Sequence, residues 1–367
     1  MKLKSFTKDN TLALKGIAIL LMTWGHLFSY VPLVNYSVDL SSLKWYSSNF
    51  SLISFLSGTC RICVIIFAFL SAYAYEAGLE KRSEGRYAIY KIIKLQLFFV
   101  PMFLISCLIV WIKNNNLLIE CYGEGKLGII NFCIDGLGIR DYLGTPTFNS
   151  TWWYISFAYL LILIVPTWSI WYRREKILAL LLPLALSAYL IQDNNSFNSW
   201  MLSDLIIIPI GIMFADENLF EKIANLKLLQ PPVINKILKL FLYGLVTIFS
   251  LYIRKKYNFV YITDPALAVI VAVVYYEYIA KVKWLNILLM FLGKYSRDMW
   301  LCQVAVLLIA LQNNIYKLGY PILIFIVAVL VTLFVSIAIG WFENKTGYSC
   351  MVDKFASTIS GYRKKQE

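Results

Sequence analysis

Charge is what this sequence has least of. Asp, Glu, Lys and Arg make up only 15% of its 367 residues, against 60% hydrophobic residues and a mean hydropathy of +0.67. Soluble domains carry roughly a quarter charged residues, so a water-soluble globule is excluded and a polytopic membrane protein is expected. Acidic residues are the scarcer sign, 21 against 34 basic, for a net charge of +13. The basic residues punctuate apolar runs and form no single patch. That is the pattern of orientation signals and membrane-lipid contacts, and it excludes nucleic acid as a partner. Histidine occurs once, as His26. Seven cysteines are scattered at Cys60, Cys63, Cys107, Cys121, Cys133, Cys302 and Cys350. Cys60 and Cys63 form a C-x-x-C inside an apolar run, with no second pair nearby and the histidine distant. Neither a zinc nor a redox site is expected, and no metal. Cys121 and Cys133 share one expected external loop, where a disulfide between them is open on compartment alone. No period of 20–50 residues repeats, no segment is of low complexity, and no stretch is long enough for a soluble domain. Met1 to Asn10 is short and basic. The apolar run behind it has no small-residue cleavage site and is long enough to span, so it reads as a retained first helix.

What is present is a series of apolar segments. A spanning helix needs ~20 mostly apolar residues, fewer inside a bundle. Ten segments qualify: 12–30, 52–75, 92–112, 153–172, 177–191, 203–215, 237–253, 265–280, 298–312 and 320–342, of which the fifth, sixth and ninth are short. Aromatics make 16%, as interfacial belts require. The expected fold is all-α: a polytopic membrane helical bundle of about ten transmembrane helices. It forms one domain over residues 1–367, with a core at about 10–343 and a short cytoplasmic tail at 344–367. Trp284 to Leu292 is apolar but too short to span, and reads as a lead along the cytoplasmic interface into the ninth helix. Lys126 to Ile139 reads as an amphipathic or re-entrant piece of the long external region from Lys113 to Trp152. With both termini cytoplasmic, 24 of the 34 lysines and arginines fall inside, eight fall outside, and Lys15 and Arg61 lie within spans. That bias follows the positive-inside rule. Arg254, Lys255 and Lys256 are the exception, placed outside where an anionic acceptor or lipid head groups would meet them.

The chemistry concentrates in the first spans. Leu12 to Tyr30 carries Lys15 near its start and His26 deep inside. Eleven residues at ~100° each return to within about 20°, so both sit on one helix face, roughly 16 Å apart along the axis. Ionisable groups inside a span are costly and tend to be functional, and this alignment favours function over a merely hydrogen-bonded structural histidine. The second span holds Arg61, about 14 Å below the outer edge, while His26 lies about 21 Å from the inner edge. In a layer of ~30 Å these depths nearly coincide. Arg61 could hold an acyl carbonyl or a developing oxyanion, or it could pair with backbone carbonyls or snorkel outward. Lys91 and Lys94 open the third span one turn apart, with Arg82 and Arg86 upstream. Such a cluster can hold the phosphates of a cytoplasmic cofactor, or serve only as a positive-inside stop.

Five stretches carry a resemblance: LALKGIAILLMTWGH at 12–26, CRICVIIFAFLSAYAY at 60–75, KIIK at 91–94, TWWYISFAYLLILIVP at 151–166 and LGKYSRDMWLCQ at 292–303. In this order they resemble the signatures of the acyltransferase-3 family of integral membrane acyltransferases, from about residue 10 to 343. The resemblance implies an O-acyltransferase of a bacterial inner (plasma) membrane, moving an acyl group, usually acetyl from acetyl-CoA, to a sugar hydroxyl. The acceptor would be a surface polysaccharide or lipid-linked glycan. By the same resemblance His26 would be the catalytic base or acyl relay and Arg61 would line the site. Lys15, Lys91 and Lys94 would bind acyl-CoA. Three departures stand out. Lysines replace arginines, which keeps charge but loses bidentate phosphate contacts. Ala72 takes the place of a glycine, and Gln303 stands where a histidine is common.

The implied chemistry agrees with the residues. A neutral imidazole can take the proton of a sugar hydroxyl as it attacks a thioester. The Lys15–His26 interval is about the reach of an extended pantetheine arm, so CoA phosphates at the inner surface would present their thioester near His26. Two rivals belong to other classes. A polysaccharide flippase or transporter usually shows internal repeats and spreads ionisable residues over several spans, unlike this chain. A membrane glycan polymerase is disfavoured by the lack of a large external domain.

Overall fold

The structure, a computed structural model, describes residues 6–28, 52–78, 84–114, 116–192 and 204–362. Every secondary element among them is a helix. In chain order they are α1 (Lys8–Phe28), α2 (Leu52–Thr59), α3 (Ile62–Ala77), α4 (Glu84–Lys113), α5 (Leu117–Tyr122), α6 (Gly125–Gly136) and α7 (Arg140–Leu143). A 3₁₀ turn at Ser150–Trp152 leads into α8 (Trp153–Arg174), followed by α9 (Lys176–Gln192). A second, at Asp204–Ile206, leads into α10 (Ile207–Asp216), α11 (Leu219–Ala224), α12 (Pro232–Tyr257) and α13 (Val260–Glu277). The chain continues through α14 (Lys283–Gln303), a π-helix at Val304–Ala310, α15 (Gln312–Tyr316), α16 (Pro321–Lys345) and α17 (Tyr348–Ser360).

Seven helical stretches among the described residues are long and apolar enough to cross a membrane: Lys8–Phe28, Phe55–Ala77, Gly85–Lys113, Ser150–Arg174, Pro232–Tyr257, Val260–Lys281 and Pro321–Lys345. They overlie the seven longer spans expected from sequence. The three short ones are helical as well. The fifth is the 17-residue α9, and the described part of the sixth is the 3₁₀ turn with α10. The ninth runs through the end of α14 and the π-helix. Trp284–Leu292 leads into the ninth span without interruption, because Lys283–Gln303 is one helix. Its Lys294, Arg297 and Asp298 interrupt the hydropathy but not the backbone. The region Lys113–Trp152 is likewise not an open loop: its described residues hold α5, α6, α7 and a 3₁₀ turn, with Lys126–Ile139 centred on the 12-residue α6.

Prolines lie inside α4, α8, α9 and α13, at Pro101, Pro166, Pro183 and Pro265. Spanning helices tolerate them because neighbouring groups and local adjustments satisfy the freed carbonyls. On α12, Ile237, Phe241, Ile248 and Phe249 are each at least 61% exposed, an apolar surface that suits hydrocarbon better than water.

The chain divides into two compact units. The first comprises Met1–Ala18, Arg61–Glu80 and Ile164–Lys294. Within it α3 packs on α10, and the fit depends on Gly211: a Cβ there would lie 2.8 Å from Phe69 O and 2.9 Å from Ala72 Cβ. Ala72, the residue that stands in for a glycine, therefore has its methyl accommodated by a glycine opposite. A second close approach joins α1 to α14. A Cβ on Gly16 would sit 2.1 Å from Leu289 O, and one on Gly293 only 1.8 Å from Leu12 O. Phe6, Phe69, Tyr73, Phe214, Phe220 and Tyr276 form a contiguous aromatic core. Lys239 is buried against Glu277 at 2.8 Å and donates to the last carbonyls of α11, at Ile223 and Ala224.

The second unit comprises Ile19–Cys60, Lys81–Leu163 and Tyr295–Glu367. Its α17 docks on α4: Tyr348 donates to Leu97 O at 2.5 Å, and Tyr362 packs on Tyr87 and Tyr90. Phe99, Phe103, Phe148 and Trp152 form its aromatic core, beside the Tyr122–Asp135 hydrogen bond of 2.6 Å that ties α5 to α6. All seven cysteines are free, so Cys121 and Cys133 are not bridged.

Candidate functional site

His26 and Lys15 lie on the single uninterrupted helix α1, as the eleven-residue spacing requires. Around His26 the second unit holds the backbone on both sides. Ser57 of α2 donates to Gly25 O at 3.1 Å, and Tyr316 of α15 donates to Leu27 O at 2.6 Å. The ring itself is half-buried, with Nδ1 2.7 Å from Gln303 Oε1. Gln303 ends α14 and has no exposed surface; its Nε2 donates to Thr23 Oγ1 at 2.7 Å. Thr23, also fully buried, donates to Ile19 O at 2.9 Å. The π-helix begins at the residue after Gln303, and such irregular turns are frequent at functional sites. The imidazole Nε2 has no hydrogen-bond partner among the described residues. One imidazole, one ring nitrogen committed and one open, is the arrangement a general base needs.

Arg61 lies in the first unit, between α2 and α3. Its guanidinium donates to Asp204 at 2.8 Å through both carboxylate oxygens and to Asp264 Oδ2 at 3.0 Å. Both carboxylates have no exposed surface, and Arg61 is 16% exposed. Arg254 completes the cluster, donating to Asp264 Oδ1 at 2.7 Å. The basic run at the end of α12 thus finds an acidic partner within the protein. Lys256 in turn lies over the rings of Tyr252 and Tyr257. The carboxylates went unselected from sequence, although each sits in or beside an apolar run. An intramembrane acid is as conspicuous as an intramembrane arginine.

Lys91 and Lys94 lie one turn apart, two to three turns into α4, both half-buried. Lys91 lies 5.3 Å from the Tyr87 ring centroid. Lys94 is engaged by the tail, 2.5 Å from Asp353 Oδ1 of α17, and Tyr90 donates to the same oxygen at 2.8 Å. Arg86 is within the described residues; Arg82 lies outside them. Arg297 of the late motif donates to Asp298 and Glu343 and stacks 3.9 Å over Phe98. Lys15 and Arg61 therefore belong to the first unit and His26, Lys91 and Lys94 to the second. Among the described residues no group of three or more His, Cys, Asp and Glu side chains is placed to hold a metal ion.

Seven apolar helices among the described residues, with a half-buried imidazole on the first of them and a paired arginine within the second, define a multi-pass membrane protein. The chain belongs to the acyltransferase-3 family: the family's acyltransferase domain matches residues 13–341. It is therefore a membrane acyltransferase. Comparison with curated proteins and with solved structures gives no match.

Proposed function

We propose that the chain transfers acetyl from acetyl-CoA to a sugar hydroxyl of a surface polysaccharide or lipid-linked glycan, in a bacterial plasma membrane. The observation that supports this most is His26: the one imidazole of the chain, half-buried in a helix of spanning length, with Nε2 unpartnered among the described residues. Hydroxyls are poor nucleophiles, and a neutral imidazole with one ring nitrogen open can take their proton. Nε2 accepts the hydroxyl proton as the oxygen bonds to the thioester carbonyl carbon. The tetrahedral adduct then collapses, the C–S bond breaks, and the CoA thiolate recovers that proton. Ester and free thiol are the products, and no metal takes part in the steps as written. Lys15, Lys91 and Lys94 are the candidate contacts for CoA phosphates, as ammonium point charges without a bidentate fork.

The experiment compares ester-linked acetyl in the host's surface glycan, by NMR, among wild type, a gene deletion and His26→Ala, with membrane abundance measured alongside. Loss of acetyl in both mutants, with the variant present at normal level, is expected. Full acetylation by His26→Ala removes the catalytic assignment. A deletion that leaves acetyl intact but changes glycan amount or length favours a transporter or polymerase.

A further inference from the structure

We infer that Gln303 is the positioning residue that fixes His26 in the Nδ1–H tautomer, leaving Nε2 as the ring nitrogen that can take a proton. What that nitrogen then does rests on the acyl-transfer reading above; the tautomer assignment itself follows from hydrogen-bond direction. Thr23 has one hydroxyl proton, and it is donated to Ile19 O at 2.9 Å, so Thr23 Oγ1 can only accept from a further partner. The side-chain group 2.7 Å from Thr23 Oγ1 must therefore be a donor, which places the Gln303 amide nitrogen there. Its carbonyl Oε1 is then the atom 2.7 Å from His26 Nδ1. A carbonyl oxygen only accepts, so Nδ1 carries the hydrogen, and in a neutral ring Nε2 does not.

The opposite amide orientation sets Oε1 against Thr23 Oγ1, whose proton is spent, inside a site where Thr23 and Gln303 have no exposed surface. Leaving buried polar groups so mismatched favours the observed orientation by roughly tenfold or more. The same bond serves both halves of the reaction. Once Nε2 is protonated, Nδ1–H still donates to Gln303 Oε1, and a charged donor strengthens that bond without rearrangement. A second imidazole at position 303 would itself have two tautomers to choose between. A glutamine anchored on Thr23 has one orientation.

Because His26 is the only histidine, ¹⁵N-histidine labelling of the full chain, purified in lipid nanodiscs with a histidine-free tag, reports one ring. At about pH 8 the ring is neutral, and long-range ¹H–¹⁵N correlations assign which nitrogen is protonated. Wild type is expected to show Nδ1–H with an unprotonated Nε2, and Gln303→Glu, whose carboxylate still accepts from Nδ1, is expected to keep it. Gln303→Met, of similar volume but without an acceptor, and Thr23→Val are expected to give Nε2–H or a mixture. Both are also expected to lower kcat about 10- to 100-fold at nearly unchanged KM for acetyl-CoA, part of what general-base catalysis supplies. An Nε2–H ring in wild type overturns the inference without any variant having to fold, and so does Nδ1–H retained in Gln303→Met. Nδ1–H in wild type together with full acetyl transfer by His26→Ala upholds the tautomer assignment and sinks the catalytic reading instead.

Discussion

Replacing Arg61 with methionine removes a guanidinium that donates three hydrogen bonds to two carboxylates, neither of which has any exposed surface. Asp264 keeps Arg254 at 2.7 Å. Asp204 loses its only ion-pair partner among the described residues. Breaking a buried pair by removing one partner costs about 3–5 kcal/mol, because a desolvated charge is left uncompensated. A loss of that size corresponds to a melting temperature lower by of order 10 °C and to reduced membrane abundance. The cost comes from the stranded carboxylate, so the double variant Arg61→Met/Asp204→Asn should recover most of it. Arg61→Lys should fall between, since one ammonium cannot reproduce a fork spanning two carboxylates. If Arg61 acts instead on the acyl carbonyl or the oxyanion, its removal lowers kcat by about 10²–10³ while the protein melts normally. Melting of detergent-purified protein and turnover, measured on the same preparations, separate the two. Wild-type melting in Arg61→Met, or no recovery in the double variant, would falsify the charge-pairing account.

Gly293→Ala and Gly16→Ala should each lower thermal stability by about 1–3 kcal/mol or more, since the new methyl meets a backbone carbonyl oxygen at 1.8 or 2.1 Å and the helices must part. Gly244→Ala, with nothing within 4 Å, should be neutral or gain up to about 1 kcal/mol of helix propensity, and equal melting of all three variants refutes the close-packing reading. Asp353→Asn frees Lys94 from a half-exposed pair worth about 1 kcal/mol at most, so the KM for acetyl-CoA should fall up to about fivefold. An unchanged KM argues that Lys94 does not meet the CoA phosphates. Burial pushes the Asp135 carboxyl up to about 6 from an ordinary 3.8. Its unfolded form therefore ionises first as pH rises, and folding stability falls between about pH 4 and pH 6, by about 3 kcal/mol in total, then levels off. Asp135→Asn keeps an acceptor for Tyr122 and should flatten that slope in a pH series of melting curves; a slope of the same size in the variant excludes Asp135 as its source.

The long spans were legible because each buries or exposes twenty or so apolar residues, a signal that composition alone carries. The helix α14 was legible only as a lead-in and a separate span, because Lys294, Arg297 and Asp298 break its hydropathy. The structure accommodates two of those charges locally, Arg297 pairing with Asp298 and with Glu343 of α16. His26 was legible as the chain's one imidazole, deep in a span. Its partner was not: Gln303 is neutral, 277 residues away, and visible in sequence only as a departure from a motif. Arg61 was legible while its partners Asp204 and Asp264, 143 and 203 residues on, were passed over. The rule that singled out the arginine applies equally to acids in apolar runs, and a buried charge in a span implies a counter-charge to be searched for.

The sequence signatures also have unequal physical jobs, which explains why each looked weak in isolation. In the first-helix motif Gly16 serves backbone proximity to α14 and His26 a polar contact with Gln303, ten residues apart. In the late motif Gly293 answers the first job and Gln303 the second, again ten residues apart. Ten helical residues rise about 15 Å, so in each motif one end serves packing and the other a polar site nearly three turns on. Arg297, between them, is spent on Asp298, Glu343 and the face of Phe98. A motif residue thus need not touch substrate to be indispensable. The glycines set how closely two helices approach, the arginine neutralises acids that hydrocarbon cannot solvate, and the histidine keeps one ring nitrogen without a hydrogen-bond partner among the described residues.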